Sequence, residues 1–257
     1  MTDLSQTDGL SSDAVRETRR MLRLVQAHLI QTSVNHGASV QVKGFVDVVH
    51  HATSAANELN YVTPRKNTAW VSAKEIEHGI EALRGLGRLA RVQYIEGLFP
   101  PQFATTMNTL GLHMEHETPL MLLEMHSPPP PAARSLSEGL TISEVTDAQG
   151  GALWWYVWRN AFYDVVTQTA PPVAIGMDLY HIASGHQTDF VMMRAGLPIG
   201  VARLSYYPAA STAHLESVAF IREARQPRLL RALIQQLMAH AHARGATLIF
   251  SSGDAER

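Results

Sequence analysis

The chain has 257 residues, no cysteine and a formal net charge of -2. That length holds a sizeable core, in one large domain or two smaller ones, and two are expected here. The charge lacks the basic excess that phosphate-backbone binding requires, which argues against a nucleic-acid partner. The absence of cysteine excludes disulfides, thiolate metal sites and a thiol nucleophile.

The opening MTDLSQTDGLSSD is polar and carries no apolar run of signal type. No apolar stretch approaches the ~20 residues of a membrane span, so a cytoplasmic protein without a membrane partner is expected. Residues 1 to 12 read as a tail. Val15, Leu22, Val25 and Leu29 then recur at helical spacing and predict a helix from about Asp13 to Val34. SVQVKGFVDVVHH reads as strand. Ser72 opens Ser-Ala-Lys-Glu, a capping box in which the serine and the Glu75 carboxylate each meet a free backbone amide. The helix it starts ends near Gly85 or Gly87. RVQYIEG reads as strand, PPQFATTMNTLG as a helix entered through proline and left through glycine, and TPLMLLEM as a buried strand.

SPPPPAARS, Ser127 to Ser135, has four consecutive residues with no amide hydrogen and fixed φ, and reads as an interdomain linker. It divides the chain into residues 1–126 and 136–257. Beyond it come a strand (LTISEV), a helix with Trp154, Trp155 and Trp158, and two hairpin-linked strands (TDFVMMRAG and LPIGVARLSYY). The stretch from Leu215 to Ser252 then reads as strand, corner, helix and strand. Strand alternation puts His214, Glu216, Val218 and Phe220 on one face, and Leu215, Ser217, Ala219 and Ile221 on the other. After the corner, Leu229, Leu230, Leu233, Ile234, Leu237, Met238 and Ala241 form one helical stripe, with Pro227 in the first turn. This order of elements predicts an α/β or α+β sandwich for each half.

From about Leu136 to Ser252 the chain resembles the GCN5-related N-acetyltransferase (GNAT) family. VAF followed by IREARQPRLLRALI lines up with that family's strand and its Arg/Gln-x-x-Gly-x-Gly/Ala loop, Arg225 taking the first position and Leu233-Ile234 the trailing apolar pair. The two small-residue positions fall on Arg228 and Leu230. In the family those positions let backbone amides approach the CoA pyrophosphate at a helix N-terminus, and side chains crowd that approach. Arg91 to Met125 resembles the family's closing strand, helix and strand, with Gly111-Leu112 at the helix end. The second half stops at SSGDAER without such closing elements. The resemblance therefore implies two GNAT-like halves, each a mixed sheet flanked by helices, the first lacking the CoA loop and the second its closing elements.

It also implies acetyl-CoA as co-substrate, no metal, and direct acyl transfer to a primary amine of a small molecule or peptide. Val218, Phe220, Arg225, Gln226, Arg228, Leu229, Leu230 and Arg231 are the expected CoA contacts. Glu216 is the expected base, with His214 as its alternative, and Tyr206, Tyr207 and Trp155 line the acceptor side. The family's tyrosine acid belongs to the missing helix, which leaves protonation of the departing thiolate unassigned. The alternative from another class is an inactive CoA-sensing or protein-interaction module.

Several features have plainer readings. Trp154 and Trp158 share a helix face and suit core packing. His113 and His116 flank Glu115 in an apparent strand, so they point to opposite faces and do not make a metal site. RGLGR, Arg84 to Arg88, follows its helix and suits helix termination rather than phosphate. A bare sheet edge beside Ser252 would invite pairing, which predicts either a large interface between the halves or a homodimer.

Overall fold

The computed structural model describes residues 12–66, 68, 70–127, 139–163 and 170–253. Most of the expected tail and all of the expected linker after Ser127 lie outside them. The chain forms two compact units, Met1–Glu117 and Thr118–Arg257.

In the first unit α1 (Ser12–Asn35) precedes a three-stranded antiparallel sheet of β1 (Ala38–Lys43), β2 (Val46–His51) and β3 (Tyr61–Pro64), then α2 (Ala73–Gly85) and α3 (Gln102–Thr109). SVQVKGFVDVVHH is thus a hairpin rather than one strand. Gly44 takes a positive φ of 57°, which an L side chain resists. The Phe45 amide beside it donates to Glu75 Oε2 at 3.1 Å. Ser72 accepts from the Glu75 amide as a cap should, while the Glu75 carboxylate serves the hairpin turn instead of completing the box. RVQYIEG supplies only an isolated bridge at Val92. Tyr94 instead turns edge-on to Phe103, with ring centroids 4.8 Å apart, and aromatic packing overrides strand pairing there. Residues 112–119 form no strand, and Glu115 is held by Arg91 through Nε at 2.6 Å.

The second unit contains β4 (Leu120–Glu124), β5 (Leu140–Glu144), α4 (Ala148–Tyr163), α5 (Pro172–Ala183), β6 (Gln187–Arg194), β7 (Leu197–Tyr207), β8 (Thr212–Phe220), α6 (Pro227–Ala243) and β9 (Leu248–Ser252). They build a six-stranded sheet in the order β4-β9-β8-β7-β6-β5, with β8 and β9 parallel and every other pair antiparallel. Leu229, Leu233, Leu237 and Ala241 of α6 pack with Phe190, Met192, Ala202 and Leu204 on one side. Trp154 and Val157 of α4 pack with Val191, Val201 and Ala219 on the other. Alternate strand residues therefore face opposite helix layers, giving a mixed α/β fold with helices on both faces.

β4 pairs with β9 from Leu120↔Ser252 to Glu124↔Leu248. Its backbone hydrogen bonds thus lie in the second unit, so the division falls at Glu117/Thr118 and not at the prolines. The same strand covers the edge of β9, and the argument for a dimer from a bare edge there loses its ground. The helix α5 escaped the sequence reading because its pattern is inverted. It buries Asp178 and His181 while Val173, Met177 and Tyr180 are exposed.

Candidate active site

The centre of the second unit is an irregularity in β8. Arg203 pairs with Ser217 and the next residue, Leu204, pairs with Leu215, so Glu216 is an extra residue bulged out of the ladder. A bulge moves the alternation by one residue, which corrects the expected face assignment. Val218 and Phe220 join the α6 side of the core. His214 and Ser217, opposite Ser205 and Arg203, face the α4 side.

The bulge coincides with an opening in the sheet. β8 pairs with β9 only from Thr212↔Leu248 to Leu215↔Ser251, whereas its pairing with β7 continues to Phe220. From Glu216 onward the edge of β8 that had faced β9 has no strand against it among the described residues. Ser251 Oγ donates to the Leu215 carbonyl at 3.2 Å and pins the vertex.

His214 lies at that vertex. Its ring is stacked on Phe250, its Nε2 is 3.1 Å from Ser252 Oγ, and its Nδ1 is 3.9 Å from Glu216 Oε1. Glu216 Oε1 is buried and receives no hydrogen bond among the described residues. Burial pushes the His214 pKa below its ordinary value, against the opposing pull of the Glu216 carboxylate. A neutral imidazole between a carboxylate and a hydroxyl is an arrangement suited to accepting and returning a proton.

The expected CoA contacts fall into two groups. Arg225 donates through its Nε to the Phe220 carbonyl at 3.3 Å and through a terminal nitrogen to the Ala161 carbonyl at 2.7 Å, so it braces the corner against α4. Leu229 is buried in the α6 core, and Val218 and Phe220 pack beneath the same helix. Arg228, Leu230 and Arg231 are exposed around the first turn of α6. Arg228 Nε donates to the Gln226 side chain at 3.0 Å, and the Gln226 carbonyl accepts from the amide of Leu230 at 3.1 Å. That turn presents cations and a helix N-terminus, with side chains at the two positions where the resemblance expects small residues.

Of the expected acceptor residues, the two tyrosines are apart from the opening. Tyr206 and Tyr207 pair with Ala213 and Thr212 at the closed end of β8. Tyr206 faces α6 with the Arg244 guanidinium 4.2 Å above its ring, and burial pushes its hydroxyl pKa up to about 12. Trp155 donates from Nε1 to Asp178 Oδ2 at 2.8 Å. It thereby joins a buried network that sequence reading missed. Arg203 grips Asp189 at 2.8 and 2.7 Å, meets Asp178 at 2.8 Å, and lies 4.3 Å over Trp154. Charged residues inside the apolar runs DFVMM and VARLSYY were the available signal for it. Ser252 carried no such signal, being 38 residues from His214. Among the described residues no group of three or more His, Asp or Glu is placed to hold a metal ion, and no helix is long and apolar enough to cross a membrane.

No protein-family model and no curated protein matches the sequence. Among solved structures, a GCN5-related N-acetyltransferase from Kribbella flavida matches 92% of this chain and 88% of its own length, with a TM-score of 0.68 and 16% identity. The chain has the GNAT fold. A GCN5-related N-acetyltransferase from Sphaerobacter thermophilus matches 71% of this chain and 58% of its own, with a TM-score of 0.49 and 20% identity. A functionally unknown conserved protein from Staphylococcus epidermidis matches 86% and 85%, with a TM-score of 0.48 and 12% identity. At 16% identity the Kribbella flavida likeness is one of fold, and any reaction has to be argued from the residues of the opening.

Proposed function

We propose that this chain is an acyl-CoA-dependent N-acyltransferase, using acetyl-CoA as donor and a primary amine of a small molecule or peptide as acceptor. The observation that carries the reading is the opening between β8 and β9 with the buried His214 and the half-buried Glu216 at its vertex.

The residues present suit such a donor at both ends of the opening. The strand-free edge of β8 after Leu215 offers backbone amides and carbonyls to an extended pantetheine-like chain. The first turn of α6, with Arg228 and Arg231 exposed, offers a positive helix end and two guanidinium groups to phosphates. When bound, the thioester supplies an activated acyl carbon. The Glu216–His214 pair accepts the proton that the attacking amine releases, because a partly buried carboxylate beside an imidazole is stabilised by gaining positive charge next to it.

A non-catalytic CoA-binding or protein-interaction module is the second reading. Arg228 and Leu230, side-chain-bearing residues at the start of α6, are the observation that favours it. The two readings separate in one assay. Acetyl-CoA is offered with a panel of primary amines while thiol release is followed, for the wild type and Glu216→Gln. The enzyme reading expects transfer by the wild type and a loss of about 10²–10⁴-fold in the variant with acetyl-CoA binding retained. Binding without transfer to any amine, or equal rates in both proteins, contradicts it.

A further inference from the structure

We propose that Ser252 carries protons between the buried His214 and the opening, and that its hydroxyl protonates the departing sulfur. This deepens the acyltransfer reading and rests on it. His214 is buried, whereas Ser252 is partly exposed at the end of β9, one residue beyond the last β8–β9 pair. The 3.1 Å contact between His214 Nε2 and Ser252 Oγ therefore links an interior ring to a hydroxyl at the opening.

Both ends of the link are fixed. Stacking on Phe250 sets the imidazole plane. Pairing of Leu120 with Ser252, together with the Gly253 amide donating to the Pro119 carbonyl at 3.3 Å, holds the end of β9 from its other side. Glu216, 3.9 Å from Nδ1, stabilises the ring whenever it carries the extra proton. A nucleophile-type hydroxyl, an imidazole and a carboxylate in this order also occur where serine attacks an acyl group, and the test distinguishes that use.

The proton balance closes. As the amine nitrogen bonds to the acyl carbon, the ammonium proton of the adduct passes to Ser252 Oγ while the hydroxyl's own proton passes to His214 Nε2. When the C–S bond breaks and its electron pair leaves on sulfur, Nε2 returns a proton to Oγ and Oγ gives one to sulfur. An amide and a thiol result, and Ser252 and His214 end as they began. Transfer from an imidazolium of ordinary pKa ~6.5 to a thiolate of ordinary pKa ~8.5 is downhill, whereas a serine hydroxyl alone is too weak an acid.

The test uses the full chain and three readouts. Imidazole ¹⁵N spectra, with His214 assigned by its loss in His214→Gln, should show a neutral ring with Nε2 as acceptor in the wild type. That signature should change in Ser252→Ala and return in Ser252→Thr. With an amine that supports turnover, Ser252→Ala should lose about 10²-fold in transfer from acetyl-CoA and a smaller factor from S-phenyl thioacetate, whose thiolate departs without a proton and leaves only the uptake of the amine's proton impaired. A purely structural serine would slow both donors alike. Intact mass after incubation with acetyl-CoA alone should show no acetyl group on Ser252. Unchanged ¹⁵N spectra in Ser252→Ala, equal losses with both donors, or an acetylated Ser252 would each overturn the proposal. If acetyl-CoA does not stabilise the wild type at all, the acyltransfer reading fails instead, and the His214–Ser252 bond remains measurable in its own right.

Discussion

His214 and Phe250 lie face to face, their ring centroids 4.3 Å apart and their planes 4° from parallel. They are register partners across the parallel β8–β9 pair, so the stack sits on the last stretch of that ladder before the strands part. Phe250 is buried and gives the imidazole a flat wall. Replacing Phe250 by Leu keeps the site apolar and removes the wall. Denaturant unfolding should show a loss of about 1 kcal/mol beyond the area effect. An unchanged midpoint would mean that the stack contributes nothing.

The pH dependence of stability follows from His214. Burial holds its folded-state pKa below the ordinary 6.5, so the unfolded chain takes up the proton first as pH falls. Stability is then complete above about 6.5 and declines as pH drops from there toward the folded value. His240 is shifted in the same direction, chiefly by burial, with Glu144 opposing. Unfolding midpoints measured above and below pH 6.5 should therefore converge in part, not wholly, when His214 is replaced by Gln. An identical pH slope in the variant would remove His214 from this balance.

Arg203 is the only guanidinium touching both Asp178 and Asp189 among the described residues, and all three side chains are largely buried. Burial works against the charge of Arg203, and the two carboxylates more than compensate, raising its pKa. Arg203→Met leaves two buried carboxylates without their cation and should destabilise by about 3–5 kcal/mol. Adding Asp178→Asn and Asp189→Asn should recover a large part of that loss in thermal melts. A single variant that melts like the wild type would contradict the reading of this network as a mutually dependent unit.

Two of the long helices were legible because their periodicities are strong. The helix expected from Asp13 to Val34 is observed from Ser12 to Asn35, and the stripe from Leu229 to Ala241 packs as one face of α6. What escaped depends on pairing and not on pattern. The bulge at Glu216 is set by how β8 meets β7, and no alternation within the strand announces it. Leu120–Glu124 looked like part of the first half because sequence proximity says nothing of which sheet will take its hydrogen bonds. Glu216 and His214 stood as a base and its alternative, yet the Ser252 hydroxyl against His214 is visible only once the parallel strands align.

Titration of the full chain with acetyl-CoA bears most directly on the proposed function. Calorimetry should show saturable binding to one site, weakened by salt as the proposed contact of phosphates with the exposed Arg228 and Arg231 requires. At 100 times the dissociation constant the bound ligand should stabilise the fold by ~2.7 kcal/mol in a parallel thermal melt. Absence of both heat and stabilisation at millimolar acetyl-CoA would contradict an acyl-CoA site at the β8–β9 opening.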